Sequence, residues 1–226
     1  MIRFWCTGCI APPVNDAPLW INDMTNTQPP HDVVINKEET LFKGFFSAVR
    51  YHLKHTLFQG GWSKPLAREV FIRTPAAGVL LYDPARDEVI LVEQFRVGAF
   101  AAGEPAWMLE VVAGILDAGE TPEAVARREA IEEAGSDIST LLPITDYFST
   151  PGACSERIWL YCGLTDSSNA GGIHGLDTEG EDIRVHVLPA TEAFAKMARG
   201  ETNNAATLIA LQWLQLNRQS LREQYA

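Results

Sequence analysis

The chain contains no run of roughly 18 consecutive apolar residues, the length a membrane-spanning helix needs, and no block rich in lysine or arginine. Neither insertion in a membrane nor binding of nucleic acid through a basic surface is expected. Four cysteines among 226 residues are too few for a disulfide framework, which points to a reducing compartment, read here as the cytoplasm. The pair Cys6-Thr7-Gly8-Cys9 has half the spacing of a zinc site or a redox dithiol, but no second such pair or paired histidines accompany it. A glycine-rich dinucleotide fingerprint and internal repeats are also lacking.

The N-terminus MIRFWCTGCIAPPVNDAP carries one positive charge, and its apolar stretch is broken by Pro12 and Pro13, a poor match to a secretory signal. Residues 1–35 are expected to form a disordered tail. Met24, just ahead of the polar TNTQPPHD, is an alternative start of the chain.

What remains is an ordinary globular composition, 46% hydrophobic and 21% charged, long enough for one main domain with a smaller appended element. The net charge of −11 repels phosphorylated molecules as it repels nucleic acid. A phosphate-bearing substrate therefore needs a local metal ion or arginine.

Residues 36–72 hold short β-prone runs ending near Gly60-Gly61, read as a small antiparallel element; from residue 73 to 226 a larger domain follows. Its first features are a hairpin, AAGVLLYD and VILVEQFR, then a single strand over Trp107 to Ile115. Thr121-Pro122-Glu123 has the order of cap, first-turn proline and acidic residue that opens a helix, and Gly135 closes it. Strands at ITDYFST, ERIWLYCGL and DIRVHVLP and two closing helices complete an α/β class, a mixed sheet sandwiched between helices. Trp159, Trp213 and Cys162 sit in apolar contexts and are expected in the core, and His174 as a structural loop residue.

At about 100° per residue, Glu129, Glu132 and Glu133 share one face of the helix. Like charges at this spacing cost roughly 0.2 to 0.5 kcal/mol per pair and sit near the helix's negative end. An isolated cluster of this kind is most simply a solvated acidic face balanced by Arg127 and Arg128. The flanking loop changes the reading: carboxylates fed by a glycine-containing loop suit magnesium bridging a diphosphate, and offer little to zinc.

Residues 114 to 136, GILDAGETPEAVARREAIEEAGS, resemble the Nudix signature, with Gly114, Glu120, Arg128, Glu129, Glu132, Glu133 and Gly135 at its fixed positions. Ala130 and Ser136 depart from it where bulky apolar residues are usual. The resemblance implies a Nudix α/β/α sandwich and Mg2+ chemistry, with Mn2+ as a substitute. It also implies Glu129, Glu133 and the Ala113 carbonyl as metal ligands, Glu132 as a supporting catalytic carboxylate, and Glu120 with Arg128 as braces.

Outside the signature, Pro151 in FSTPGACSE, LFKGFFS, EQFRVGAF, GGIHGLDTEGEDIRVHV and NNAATLIALQWLQL are similar to the bacterial ADP-ribose pyrophosphatase branch over about residues 37 to 226. This implies hydrolysis of ADP-ribose to AMP and ribose 5-phosphate by a homodimer, the N-terminal β element serving dimerisation and adenine contact. Glu179 is the first choice for the general base, with Glu181 its rival. Arg96 and Arg68 are candidate diphosphate contacts, Phe46 (beside Phe45) a candidate adenine contact, and Ser155 a further substrate contact. Each has a plainer reading, as an acidic turn, surface arginines or core aromatics. Another nucleotide sugar such as GDP-mannose is the nearest rival substrate. A non-catalytic ADP-ribose-binding regulator is less favoured, since such domains lose box glutamates and carry a DNA-binding extension.

Overall fold

A computed structural model describes residues 32–226. The Cys6–Cys9 pair, Met24 and the tail expected over 1–35 lie outside them up to residue 31.

Strands β1 (Val33–Lys43), β2 (Ser47–His55) and β3 (Leu66–Ile72) form the small antiparallel sheet, in that order. Pairing begins at Val33, inside the span assigned to the tail, because Val33 lies opposite His55. Of this sheet's hydrophobic side chains only Val49 is buried, whereas Val34, Ile35, Phe42 and Phe71 are exposed. Three strands with so little enclosed apolar area need another surface for stability. One is the rest of the chain: the Phe71 N–H donates to the Ala153 carbonyl at 2.8 Å, and the Ser155 N–H to the Phe71 carbonyl at 3.0 Å.

The main sheet contains β4 (Ala76–Asp83), β5 (Glu88–Phe95), β6 (Trp107–Glu110), β7 (Val112–Ile115), β8 (Thr140–Phe148), β9 (Arg157–Leu164), β10 (Gly172–His174) and β11 (Ile183–Pro189). Its order is β10-β11-β5-β4-β9-β8, and β4 with β9 is parallel while the other pairs are antiparallel. The helices are α1 (Val97–Ala101), α2 (Pro122–Ala134), α3 (Ala190–Ala198) and α4 (Ala205–Tyr225).

Period-2 alternation splits the side chains of the central strands between two cores. Ala77, Val79 and Leu81 of β4, Ile90 and Val92 of β5, and Trp159 and Tyr161 of β9 pack with Val125, Ala126, Ala130 and Ala134 of α2. Their neighbours Leu80, Tyr82, Val89, Leu91, Leu160 and Cys162 pack with Ala193 of α3 and with Ala210, Leu211 and Leu214 of α4. The result is the expected sandwich of helices around a mixed sheet.

The run Trp107–Ile115 is not one strand. β4 and β5 pair only near their turn, from Leu81 opposite Ile90 to Asp83 opposite Glu88. Beyond that they take different partners: β6 pairs with β5, Val92 opposite Glu110, and β7 pairs with β4, Val79 opposite Val112. Val111 is the break. The sequence also gives no warning of α1 or β10, and β8 starts at Thr140, ahead of the expected Ile144.

Candidate active site

The helix carrying the glutamates is capped as its sequence predicts. Thr121 Oγ1 accepts from the Ala124 N–H at 3.3 Å and Pro122 opens the helix. At the other end Gly135 adopts φ 59°, and the Gly135 and Ser136 amides return to the carbonyls of Ile131 and Ala130. Ala126, Ala130 and Ala134, all buried, let α2 lie close on the sheet. The short Ala130 thus answers one departure from the signature, and buried Ser136 answers the other by donating its hydroxyl to the Ala134 carbonyl at 3.1 Å.

Close approach buries two of the three carboxylates. Glu133 is 2% exposed and Glu129 is 9% exposed, while Glu132 is half-buried. Glu133 Oε2 accepts from the Ala113 N–H at 3.1 Å, and its Oε1 lies 3.5 Å from the Gln94 amide nitrogen. Burial, reinforced by the charges of Glu129 and Glu181 and opposed by the Ala113 hydrogen bond, pushes Glu133 up to about 8. Glu129 is raised by burial too, against the pull of Arg128.

Arg128 is the counter-charge. Its guanidinium reaches Glu120 at 3.2 Å, Glu129 at 2.8 Å and Glu132 at 2.9 Å. The Glu120 hydrogen bond is the largest of the influences that raise its pKa, and it lowers that of Glu120 in return. Glu120 also accepts from the Asp117 N–H at 3.0 Å, so the expected bracing of loop and helix is present.

Two of the three glycines of the glutamate segment, Gly114 and Gly135, are dictated by contact, whereas Gly119 has open space around it and a φ of 92°. A Cβ on Gly114 would lie 1.6 Å from Glu129 Oε1, and one on Gly135 would lie 2.7 Å from His174 Cε1. His174 also hydrogen-bonds the Gly171 carbonyl at 2.8 Å, and the Gly175 N–H donates to the Glu132 carbonyl at 3.3 Å. The loop that follows β10 is thereby docked on the C-terminal end of α2; His174, expected in a loop, instead ends strand β10, paired with Ile183.

That loop holds Glu179 and Glu181 differently. Glu181 Oε2 accepts from the Leu176 N–H at 3.1 Å, and its charge acts on both Glu129 and Glu133. Glu179, ending a single 3-10 turn at Asp177–Glu179, is exposed to solvent.

Arg96 lies at the start of α1 and pairs through Nε with Glu110 Oε2 at 2.7 Å; burial raises the Glu110 pKa despite this partner. Glu110 stands opposite Val92, on the α2 face of the sheet, and the Arg96 charge reaches Glu133. Glu110 and Gln94 are site residues that the sequence reading missed. Gln94 was signalled by its place two residues before Arg96 in EQFR, whereas Glu110 depends on strand register.

The other expected contacts are placed apart from the glutamates' hydrogen-bond network. Arg68 is exposed on β3, where its guanidinium donates to the Ala67 carbonyl at 2.9 Å. The Phe46 ring lies 4.9 Å from that of Phe45 and 4.6 Å from the Arg73 guanidinium. Ser155 Oγ accepts from the Arg73 N–H at 2.9 Å, a clasp between the small sheet and the segment after Pro151.

Residues 72–211 match the model of the NUDIX domain. The chain belongs to the Nudix family. It is 47% identical over 196 residues to an ADP-ribose pyrophosphatase of Escherichia coli K12, covering 87% of this chain and 94% of that protein. An ADP-ribose pyrophosphatase of Haemophilus influenzae is 43% identical over 211 residues, 91% of this chain and 97% of that one. A GDP-mannose pyrophosphatase of Cronobacter sakazakii is 38% identical over 150 residues, 66% of this chain and 78% of that one. In fold, a crystal structure of an ADP compounds hydrolase is similar, with a TM-score of 0.64 at 20% identity over 86% of this chain and 96% of that one.

Among the described residues, no three His, Cys, Asp or Glu side chains stand close enough together to grip an ion as placed. In the Nudix box, Arg128 holds two of the three helix glutamates. The donor chemistry nevertheless fits a hard divalent cation, because the box buries Glu129 and Glu133 within reach of each other's charge and, among the described residues, Glu133 has no direct ion pair, only the more distant charge of Arg96.

Proposed function

We propose that this chain hydrolyses the diphosphate of ADP-ribose to AMP and ribose 5-phosphate with Mg2+, Mn2+ serving as a substitute. The observation that carries the substrate is extent: similarity to ADP-ribose pyrophosphatases spans 87% of the chain, against 66% for the GDP-mannose pyrophosphatase.

In this reading Glu129, Glu133 and the Ala113 carbonyl would hold the metal, with Glu132 beside them. When bound, the ion neutralises phosphate charge and orients the diphosphate. Glu129 and Glu132, which Arg128 holds here, would have to exchange that partner for the ion. Arg96 supplies a guanidinium fork to phosphate oxygens, helped by Arg68. Glu179 takes the proton of the attacking water, and the bridging oxygen leaves with one of the two phosphates. Its exposed place supports a loop that swings inward on substrate, while Glu181, already felt by the helix glutamates, acts as a further metal contact or as the rival base. Phe46 stacks on adenine and Ser155 contacts substrate.

The exposed apolar side chains of the N-terminal sheet support a homodimer, with Phe42 and Phe71 among the residues covered. The described cysteines, Cys154 and Cys162, are both free, which agrees with a cytoplasmic location. No helix of the described residues is long and apolar enough to cross a membrane, and the charge of −11 argues against nucleic acid as a partner.

The similarity to GDP-mannose pyrophosphatases favours one second reading, another nucleotide sugar as substrate. Product analysis across a panel of nucleotide sugars tests both: ADP-ribose is expected to give the highest kcat/KM, and a tenfold preference for GDP-mannose would reverse the assignment.

A further inference from the structure

The segment Asn203-Asn204-Ala205-Ala206-Thr207 opens α4, on the sheet face opposite the glutamates, and the chemistry above makes no use of it. Asn204 caps the helix through Oδ1, which accepts from the Thr207 N–H at 3.0 Å. Its Nδ2 turns the other way and donates to the Leu109 carbonyl at 3.1 Å. Thr207 is fully buried, and its Oγ1 accepts from the Val111 N–H at 2.9 Å.

These two bonds bracket Glu110 and meet the chain at the break between β6 and β7. Pairing with β5 ends at Glu110 and pairing with β4 begins at Val112, so the ladders leave the buried Val111 amide to the Thr207 hydroxyl. On one side of the break Glu110 holds Arg96 at 2.7 Å. On the other, Ala113 donates to Glu133 at 3.1 Å, and Gly114 follows with Glu129 against it. The break therefore fixes the spacing between a diphosphate arginine and the metal ligands.

We propose that Thr207 and Asn204 are positioning residues of the active site, acting through the β6–β7 break from the far side of the sheet. This rests on the diphosphatase reading above. A hydroxyl oxygen is what Val111 requires: serine retains it, and valine keeps the shape without the acceptor. At Asn204, aspartate retains the cap and loses the donor to Leu109.

The test compares Thr207→Val, Thr207→Ser and Asn204→Asp by ADP-ribose kinetics, Mg2+ activation, Mn2+ affinity from electron paramagnetic resonance, and thermal unfolding. Thr207→Val and Asn204→Asp are expected to lower kcat about 10- to 100-fold per folded molecule and to weaken Mn2+ binding on the same scale, as loss of a ligand's supporting partner does. Thr207→Ser should return near to the parent. Equal losses in Thr207→Ser and Thr207→Val, or unchanged kcat and Mn2+ affinity in folded variants, would overturn the proposal. If Thr207→Val does not fold, Asn204→Asp decides by the same two readouts. Should the parent release no AMP, the diphosphatase reading fails, and Mn2+ affinity alone still decides whether the break is held in place by these residues.

Discussion

Gly114 and Glu129 occupy space that no larger pair could share, since a Cβ on Gly114 would sit 1.6 Å from a Glu129 carboxylate oxygen. Arg128 Nη1 holds that same oxygen at 2.8 Å. The glycine is thus a packing requirement of the carboxylate, and each position of the box constrains the next.

Gly114→Ala should displace Glu129 from its place against β7 and cost roughly 1–3 kcal/mol of stability as an overpacked site. Metal-dependent turnover should fall further than that loss explains. Kinetics at a temperature where the variant is fully folded checks this, with unchanged turnover as the contrary outcome.

Stability without metal should depend on pH through Glu133, which burial pushes up to about 8 from an ordinary 4.5. The folded state holds this proton more tightly than the unfolded chain, so its contribution is complete below about 4.5 and is lost as pH rises through about 8. Glu129 shifts in the same direction. In chelator, Tm should therefore be lower at pH 8.5 than at pH 5.5, and Glu133→Gln should flatten the slope. Calorimetry across that window would refute the reading if both proteins gave the same slope.

Glu179 and Glu181 should separate by variant. Glu179 is exposed, so Glu179→Gln should leave Tm unchanged and lower kcat about 10²- to 10⁴-fold with little change in KM, the range for loss of a general base. Glu181→Gln keeps an acceptor for the Leu176 amide but removes a charge felt by Glu129 and Glu133, so weaker metal activation is its expected signature. The reverse pattern would transfer the role of base to Glu181.

Phe42→Asp and Phe71→Asp, on the exposed face of the N-terminal sheet, should shift the protein from dimer to monomer in sedimentation equilibrium. A parent protein that is itself monomeric would rule the dimer out.

The glutamate helix was legible in the sequence because its determinants are local. Thr121, Pro122 and Gly135 fix its ends, and the spacing of Glu129 and Glu133 fixes their common face. The break at Val111 was not legible: it arises where β4 and β5 take different partners, a fact of register between distant segments. Glu110 is hidden for the same reason, since only pairing with Val92 turns it toward Arg96. The apolar run Trp107–Ile115 reads as one strand because its residues suit a sheet on both sides of the break. For Arg68, Phe46 and Ser155 the sequence offered residue type without geometry, and their neighbours here are the Ala67 carbonyl, Phe45 with Arg73, and the Arg73 amide.

The most direct measurement is incubation of the pure protein with ADP-ribose and Mg2+, beside Glu133→Gln, with AMP and ribose 5-phosphate quantified together. Equimolar products from the parent, abolished by chelator and nearly abolished in Glu133→Gln, are predicted. No metal-dependent AMP from the parent, or full activity in Glu133→Gln, would contradict the account.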